Sequence, residues 1–178
     1  MSDITTGTWQ LDPTHTDVGF TVRHLMSKVR GKFESFEGTL VTADDITAST
    51  VNVSVELASI NTGTADRDNH LRSGDFFNVE TNPTMTFAST GVVQKSDSDF
   101  VVTGDLTIKD ITKPFELIVE FLGEGKDPWG GTRVGVEATG QISRKDWGID
   151  FNIPLEGDKV MIGDKITITI NAEAVLQA

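Results

Sequence analysis

Hydrophobic and polar residues alternate with a period of two along most of the chain. The clearest segment is 166–176, where isoleucine, alanine and leucine take every second position and mostly polar residues take the others. Such alternation predicts a β-strand with one buried face and one face in water. The same pattern occurs at 18–22, 51–57, 85–87, 100–108, 115–121 and 134–142. The threonine and valine content of these segments favours strands over helices.

Turn signals separate the alternating segments. They are the pair Asp44 and Asp45, the polar stretch 96–99, the pair Lys109 and Asp110, and the glycine-rich stretch 123–131. Connections this short predict that neighbouring strands run antiparallel, because a parallel pair needs a long crossover.

One segment breaks the alternation in a way that predicts a short helix. Thr64 can cap its N-terminus, and Asp66 would lie in the first turn. Arg72 follows Asp68 at a spacing of four residues, which places the two on the same helical face. Gly74 can end the helix.

About eight long antiparallel strands must close into a barrel or pack as a sandwich, because an open sheet of that width leaves unpaired edges. We predict the barrel: a single all-β domain over residues 1–178, folded as an extended eight-stranded antiparallel barrel with one or two short helices. The second helical turn is expected within 145–164. Alternation alone leaves open which face of each strand points inward at every position.

Composition narrows the functional classes. The chain has no cysteine, which excludes disulfides, thiolate metal sites and a cysteine nucleophile. Its net charge is −12, from 27 acidic and 15 basic side chains, and this disfavours nucleic acid and an anionic membrane surface as partners. No apolar run reaches the roughly 20 residues of a membrane-spanning helix. The first residues lack the basic and apolar regions of a secretory signal, so a cytoplasmic location is expected.

Side chains with catalytic or metal-binding chemistry are sparse. The three histidines, His15, His24 and His70, lie in separate predicted elements and lack metal-ligand spacing, so no metal site is predicted. The sequence contains no nucleophile elbow, no P-loop and no dinucleotide-binding glycine pattern. No catalytic residue is therefore predicted.

Arginines and tryptophans are the remaining candidates for special roles. The arginines that can gather at one mouth of the barrel are Arg23, Arg67, Arg72, Arg133 and Arg144. There they would meet the polar head group of a ligand, and the alternative is ion pairing with the abundant acidic residues. The tryptophans, Trp9, Trp129 and Trp147, are expected to plug the ends of the core with their indole N–H groups paired.

Several motifs follow one another along nearly the whole chain. They are W-Q-L-D-P-T-H-T at 9–16, V-G-F-T-V-R-H at 18–24, I-N-T at 60–62, R-D-x-H-L-R-S-x-D-F-F at 67–77, P-x-M-x-F at 83–87, G-D-L-T-I-x-x-I-T-K-P at 104–114, D-P-W-G at 127–130 and I-S-R-K-D-W-G-I at 142–149. Taken together and in this order, they resemble the YceI-like, polyisoprenoid-binding family.

The resemblance implies a lipocalin-like barrel that holds a long-chain isoprenoid or another amphipathic lipid in an elongated apolar pore, often as a homodimer. The resemblance implies no cofactor. The ligand that it implies is a polyisoprenoid, an isoprenoid quinone or a fatty-chain amphiphile. Many relatives look like exported periplasmic proteins, and this chain departs from them at its first residues.

One face of the strands is predicted to line the pore and bind the lipid. The predicted ligand-binding residues are Val18, Phe20, Val22, His24, Val53, Val55, Phe87, Leu106, Phe115, Leu117, Val119, Phe121, Val136, Ile142, Trp147, Ile168 and Ile170. The head-group candidates are Arg23, Arg67, Arg72 and Arg144. A pyrophosphate head group needs these arginines at the entrance, whereas a neutral quinone or amide avoids repulsion by the negative protein.

The sequence thus predicts a non-enzymatic protein that sequesters or transports a lipid. Two alternatives stay open. One is a structural or interaction module whose core is filled by its own side chains, which the absence of a continuous cavity would identify. The other is an enzyme that uses His15, His24 or His70 near the barrel mouth, which two histidines within reach of each other and of a carboxylate would identify.

Overall fold

The structure is a computed structural model that describes residues 4–153, 155 and 161–178. Its strands are β1 (Gly7–Leu11), β2 (Asp17–His24), β3 (Ser27–Phe33), β4 (Phe36–Thr42), β5 (Thr50–Glu56), β6 (Ile60–Asn61), β7 (Thr84–Gln94), β8 (Asp99–Ile108), β9 (Ile111–Lys126), β10 (Thr132–Ser143) and β11 (Ile162–Leu176). The α-helix, α1, is Ala65–Arg72. Short 3₁₀ turns lie at Pro13–His15, Ile46–Ala48, Leu57–Ser59 and Arg144–Trp147.

The sheet closes on itself through β11. One edge of β11 pairs with β10, and its other edge pairs with β2 and then with β1. β1 and β2 are therefore two halves of one strand, interrupted by the turn at Pro13–His15. β3 and β4 make up the next strand in the same way, since β3 pairs with β2 and β4 pairs with β1. These two composite strands, together with β5 and β7 to β11, form the closed eight-stranded antiparallel barrel that the sequence predicts.

The alternating segments lie in β2, β5 and β7 to β11, apart from Leu57, which begins a 3₁₀ turn. β1, β3 and β4 show no such alternation in the sequence. In β3, the inward positions are Val29, Gly31 and Phe33. The glycine interrupts the apolar pattern, so a period-two search does not find this strand.

Glycines in three strands lie directly against phenylalanine rings of the neighbouring strand. The pairs are Gly31 with Phe20, Gly104 with Phe87, and Gly140 with Phe115. A Cβ atom at Gly104 would lie 2.6 Å from the Phe87 ring, well inside van der Waals contact. Each glycine is required because the ring occupies the space that a side chain would fill.

The helix lies where the sequence predicts it, but its predicted contacts differ. Thr64 holds the N-cap position without forming a side-chain hydrogen bond to the helix. Asp68 does not pair with Arg72; it is buried and accepts hydrogen bonds from the backbone N–H and the hydroxyl of Thr62. Arg72 instead donates to the carbonyl oxygens of Ala58 and Ile60, and the helix ends at this residue.

Two of the three tryptophans plug the core as expected. Trp9 is fully buried and donates its indole N–H to the Thr42 hydroxyl at 3.0 Å. Trp147 is 2% exposed and donates to the Leu106 carbonyl oxygen at 2.9 Å. The expectation is wrong for Trp129, which is 73% exposed in the β9–β10 turn, where its ring lies over the Arg133 guanidinium. Its position in a glycine-rich turn beyond the strand ends keeps it out of the core.

The predicted helical turn within 145–164 corresponds to the 3₁₀ turn Arg144–Trp147. β11 begins at Ile162, within this segment. Residues 154 and 156–160 of the segment lie outside the described residues.

The two ends of the barrel are built differently. One, which we call the turn end, carries the β7–β8 and β9–β10 turns and the 3₁₀ turn Ile46–Ala48. The other, which we call the helix end, carries the β2–β3 turn, α1 and the 3₁₀ turn Arg144–Trp147. There, among the described residues, the second edge of β3 pairs only with the two residues of β6. α1 and the residues that follow it cover this side of the barrel.

Candidate functional site

Two cavities lie end to end inside the barrel. The cavity at the helix end has a volume of about 250 Å³, and the cavity at the turn end about 240 Å³. Val18, Met85 and Ile168 line both cavities, so the two cavities adjoin at these side chains, and we call the pair together the tunnel. The interior is not filled by the protein's own side chains, and this observation counts against the filled-core module.

Every predicted ligand-binding residue lines one of the two cavities. Those at the helix end are Val18, Phe20, Val22, His24, Ile142, Trp147 and Ile168. Those at the turn end are Val53, Val55, Phe87, Leu106, Phe115, Leu117, Val119, Phe121, Val136 and Ile170, with Val18 and Ile168 again at the junction. Their contact with a ligand stays a prediction.

Part of the lining comes from segments without strand alternation. Leu71, Phe76 and Phe77 enter the helix-end cavity from α1 and the residues after it, and Ile149 and Phe151 enter from the residues after the last 3₁₀ turn. Periodicity gives no signal in such irregular segments. None of these five residues was therefore predicted to be ligand-binding, although the motifs at 67–77 and 142–149 include all of them but Phe151.

The turn-end cavity is lined by no charged side chain among the residues that the structure describes. Its polar groups are mostly engaged within the protein. The Thr42 hydroxyl accepts from Trp9 and donates to the Thr5 carbonyl oxygen at 2.7 Å. The Ser49 hydroxyl accepts from the backbone N–H of Ala43 at 3.0 Å. This cavity therefore suits a hydrocarbon chain, which gains about 0.8 kcal/mol per buried methylene.

The helix-end cavity differs because it contains cationic and imidazole groups. Arg67 on α1 lines it and is half-buried. Its Nε donates to the Thr62 hydroxyl and its Nη2 to the Thr62 carbonyl oxygen, both at 2.7 Å. Within the described residues, Nη1 forms no hydrogen bond and the guanidinium has no carboxylate partner. Arg67 thus presents a positioned donor to the cavity.

Arg144 also lines the helix-end cavity, but its hydrogen bonds are committed to the backbone. It is 4% exposed and donates to the carbonyl oxygens of Gly163, Ile149 and Phe151 at 2.8–2.9 Å. Burial lowers the pKa of its guanidinium, and the charge of Asp164, whose Oδ1 lies 3.6 Å from Nη2, acts in the opposite direction. Arg144 therefore holds the segment after the last 3₁₀ turn against the start of β11.

His70 is fixed at the wall of the same cavity. Its Nε2 lies 2.8 Å from Oδ2 of Asp75, and its ring meets the rings of Phe76 and Phe151 edge-on, at 5.0 Å between centroids in each case. The carboxylate orients the imidazole, and the two aromatic rings confine it.

The structure does not bring the three histidines into one cluster. His24 and His70 both line the helix-end cavity, whereas His15 lies in the turn after β1 and contacts Asp12. No group of three potential metal ligands is found in the described part of the chain. The arrangement thus gives the enzyme alternative no positive support.

Two of the head-group candidates lie outside the cavity lining. Arg23 falls between Val22 and His24 on β2, so the alternation that points these two inward points Arg23 outward. Arg72 is drawn away from the cavity by its bonds to Ala58 and Ile60. Only Arg67 and Arg144 of the four candidates line the tunnel.

Among the described residues, no helix has the length and apolar character needed to cross a membrane.

The strands form a closed antiparallel barrel around an apolar tunnel, and the charged side chains that line the tunnel lie at its helix end. This architecture places the protein in the class of lipocalin-like barrels. The chain matches the YceI-like domain over residues 9–174, and it therefore belongs to the YceI-like domain family.

Known relatives agree with this assignment. The chain is 41% identical over 165 residues to Protein YceI of Escherichia coli, and the matched region covers 92% of this chain and 83% of the relative. It is 32% identical to the crystallised YCEI protein of Campylobacter jejuni, with complete coverage of both chains and a TM-score of 0.73. A polyisoprenoid binding domain from Saccharophagus degradans, implicated in plant cell wall breakdown, shares the fold at 14% identity, with a TM-score of 0.72 and coverage of 95% and 98%.

Proposed function

We propose that this protein is a non-enzymatic lipid-binding protein that sequesters or transports a long-chain isoprenoid or a similar amphipathic lipid. The observation that carries the proposal is the pair of adjoining cavities, in which a cavity lined by no charged side chain among the described residues shares Val18, Met85 and Ile168 with a cavity lined by Arg67. The Saccharophagus domain of the same fold is named for polyisoprenoid binding, and this supports the proposed class of ligand.

The proposed ligand lies with its tail at the turn end and its polar head at the helix end. A hydrocarbon tail gains free energy from leaving water, but ordering a long flexible chain offsets much of this gain. Because the gain depends on buried apolar area, the tunnel is expected to select for an apolar chain of suitable width more than for one chain length.

The proposed head group is a carbonyl, hydroxyl or similar acceptor beside Arg67. Of the four arginine candidates, Arg67 alone lines the tunnel with a donor that has no partner among the described residues, because Arg144 is held by backbone carbonyls. A pyrophosphate is best bound by several bidentate arginine contacts, which this lining does not provide. A quinone or amide head needs no such cluster.

Lipid uptake can be tested with two substitutions at adjacent positions of β9. Val119 lines the turn-end cavity, whereas Ile118 is 59% exposed on the outer face. We expect Val119→Asp to abolish uptake, because a carboxylate in an apolar tunnel is costly to desolvate and repels a hydrocarbon chain. Ile118→Asp should leave uptake unchanged. Uptake is measured by incubating each variant with an isoprenoid quinone and weighing the complex by native mass spectrometry.

Folding is checked for both variants by circular dichroism and thermal unfolding. If a folded Val119→Asp variant takes up the quinone as well as the Ile118→Asp variant does, the lipid does not occupy the tunnel and the proposal fails. The homodimer and the cytoplasmic location expected from the sequence stay predictions.

A further inference from the structure

The β2–β3 hairpin carries a local charge opposite to that of the whole protein. From Val18 to Phe33 the chain contains Arg23, Lys28, Arg30 and Lys32 and no acidic residue, although the net charge is −12. All four side chains are exposed on the outer face of the hairpin. Because exposed charges are screened beyond about 8 Å, a partner at the hairpin meets this basic patch rather than the acidic average.

The fold makes little use of these positive charges. Arg23 and Lys28 lie directly opposite each other in the β2–β3 ladder, a pairing of like charges that is destabilising. Among the described residues, Arg23, Lys28 and Arg30 take part in no ion pair, and Lys32 lies 3.9 Å from Glu34. The patch is therefore free to meet an anionic partner.

The tip of the hairpin places two large apolar side chains in water. Leu25 is 47% exposed and has a φ of 56°, a left-handed conformation that glycine and asparagine adopt more readily. Met26 is fully exposed. Neither side chain packs in the core, and leucine is a poor choice for this backbone conformation. The fold alone gives no reason for this pair.

The hairpin tip lies beside the wall of the helix-end cavity. The backbone N–H of Leu25 donates to the Met161 carbonyl oxygen at 2.8 Å, and Met161 lines the cavity. Val22, His24 and Val29 of the hairpin line it as well. Ile153 both lines the cavity and is 45% exposed, so the cavity reaches the surface at this end.

We propose that the β2–β3 hairpin docks on an anionic phospholipid surface. Leu25 and Met26 enter the interface between head groups and acyl chains, and Arg23, Lys28 and Arg30 contact the phosphates. An apolar tip flanked by cations fits such a surface, because the surface has a hydrocarbon region beneath negatively charged head groups. Docking in this way places the helix-end cavity at the bilayer. The purpose of docking, lipid exchange with the tunnel, rests on the proposed function, whereas docking itself does not.

The proposal is tested by co-sedimentation of the full chain with vesicles. We expect binding to vesicles of phosphatidylglycerol and phosphatidylcholine, weaker binding as salt is raised, and little binding to phosphatidylcholine alone. Each basic side chain near an anionic surface strengthens binding about fivefold, so Lys28→Gln with Arg30→Gln should weaken it about 25-fold. Leu25→Asn with Met26→Asn should also weaken it, and asparagine suits the left-handed backbone at position 25.

Matched controls lie at the turn end. Lys95→Gln with Lys126→Gln removes two exposed charges there, and Leu122→Asn removes an apolar side chain that is 56% exposed. The controls should bind vesicles as the unaltered protein does. If the hairpin variants bind as well as the controls, or if no variant binds, docking by the hairpin is overturned. Self-association that the hairpin variants abolish, without vesicle binding, would identify a second copy as the partner and also overturn it.

Different variants test docking and lipid uptake, so the failure of one proposal can be distinguished from the failure of the other. Val119→Asp should bind anionic vesicles normally while taking up no quinone, and the hairpin variants should take up quinone delivered from detergent. Vesicle binding without quinone uptake by the unaltered protein would leave docking standing and remove the proposed function. Quinone uptake without hairpin-dependent vesicle binding would leave the proposed function standing and overturn docking.

Discussion

Arg133 at the turn end and Arg67 at the helix end differ in whether a carboxylate pairs with the guanidinium. At the turn end, Arg133 donates to Asp127 at 2.7 Å and to Asp12 at 2.6 Å, and the ring of Trp129 lies over its guanidinium. At the helix end, Arg67 faces a cavity without a carboxylate partner among the described residues. The paired guanidinium of Arg133 links β10 to the residues on either side of it, whereas the guanidinium of Arg67 is the group that the proposed function assigns to the ligand's head group.

The carboxylates at the turn end show the effect of this pairing on their acidity. Hydrogen bonds from Arg133, and then from His15 and Thr14, hold the pKa of Asp12 well below its usual range. For Asp127, burial raises the pKa, but hydrogen bonds from Arg133 and from the backbone N–H groups of Gly131 and Trp129 lower it overall. Both carboxyl groups are therefore more acidic in the folded protein than in the unfolded chain.

The largest effect is expected at the buried tryptophan of the turn end. Trp9→Ala leaves a cavity and removes one of the hydrogen bonds to the Thr42 hydroxyl, which should lower the free energy of unfolding by about 3–5 kcal/mol. Trp129→Ala is the matched control, because it removes the same side chain from an exposed position and a cation–π contact worth about 1 kcal/mol or less. Urea unfolding compares the two. Equal losses would mean that Trp9 does not hold this end of the core together.

A smaller effect on stability is expected when the pH is lowered and the carboxylates that pair with Arg133 become protonated. Because both folded-state pKa values are lowered, the stabilisation is complete above the ordinary carboxyl pKa of 3.8 and is lost as the pH falls from there toward the folded values. Arg133→Gln should lower stability at pH 7 and reduce the further loss between pH 7 and pH 3. Guanidinium unfolding at both pH values measures this. Arg23→Gln, which lacks a carboxylate partner among the described residues, should keep the full acid-dependent loss; an unchanged acid-dependent loss in Arg133→Gln would disprove the assignment.

The smallest effect is expected at Arg67 and concerns affinity rather than folding. Arg67→Gln should weaken quinone binding by about tenfold or more, since a hydrogen bond to a charged donor contributes about 1.5–3 kcal/mol and 1.4 kcal/mol is a factor of about ten. Arg72→Gln is the control on the same helix, because Arg72 also bonds backbone carbonyls but lies outside the tunnel. Fluorescence titration with a quinone compares the two variants. Equal affinities would place the head group away from Arg67.

The sequence predicted most of the barrel and of its lining, because one buried face per strand leaves a period of two that is readable without a structure. Positions such as Val119 and Ile168 are inward for this reason. The same parity excludes Arg23 from the interior once Val22 and His24 are assigned to it. Arg67 and Arg72 were not separable, because α1 has only Ala65 and Leu71 as apolar residues and so no apolar face that orients it.

What the sequence did not reveal lies where tertiary contacts replace periodicity. Phe76, Phe77 and Phe151 reach the cavity from irregular segments, in which successive side chains have no fixed direction. Trp129 was expected in the core on the strength of its size, but its turn holds it in solvent. β3 gives a weak period-two signal because Gly31 stands at an inward position that Phe20 covers.

The glycines beneath Phe20, Phe87 and Phe115 set the calibre of the tunnel. Each ring occupies its place only because the neighbouring residue lacks a side chain, so a methyl group there would force the ring to move. The width available to a guest molecule is thereby governed from within the wall, at positions that leave the outer surface and its charges untouched.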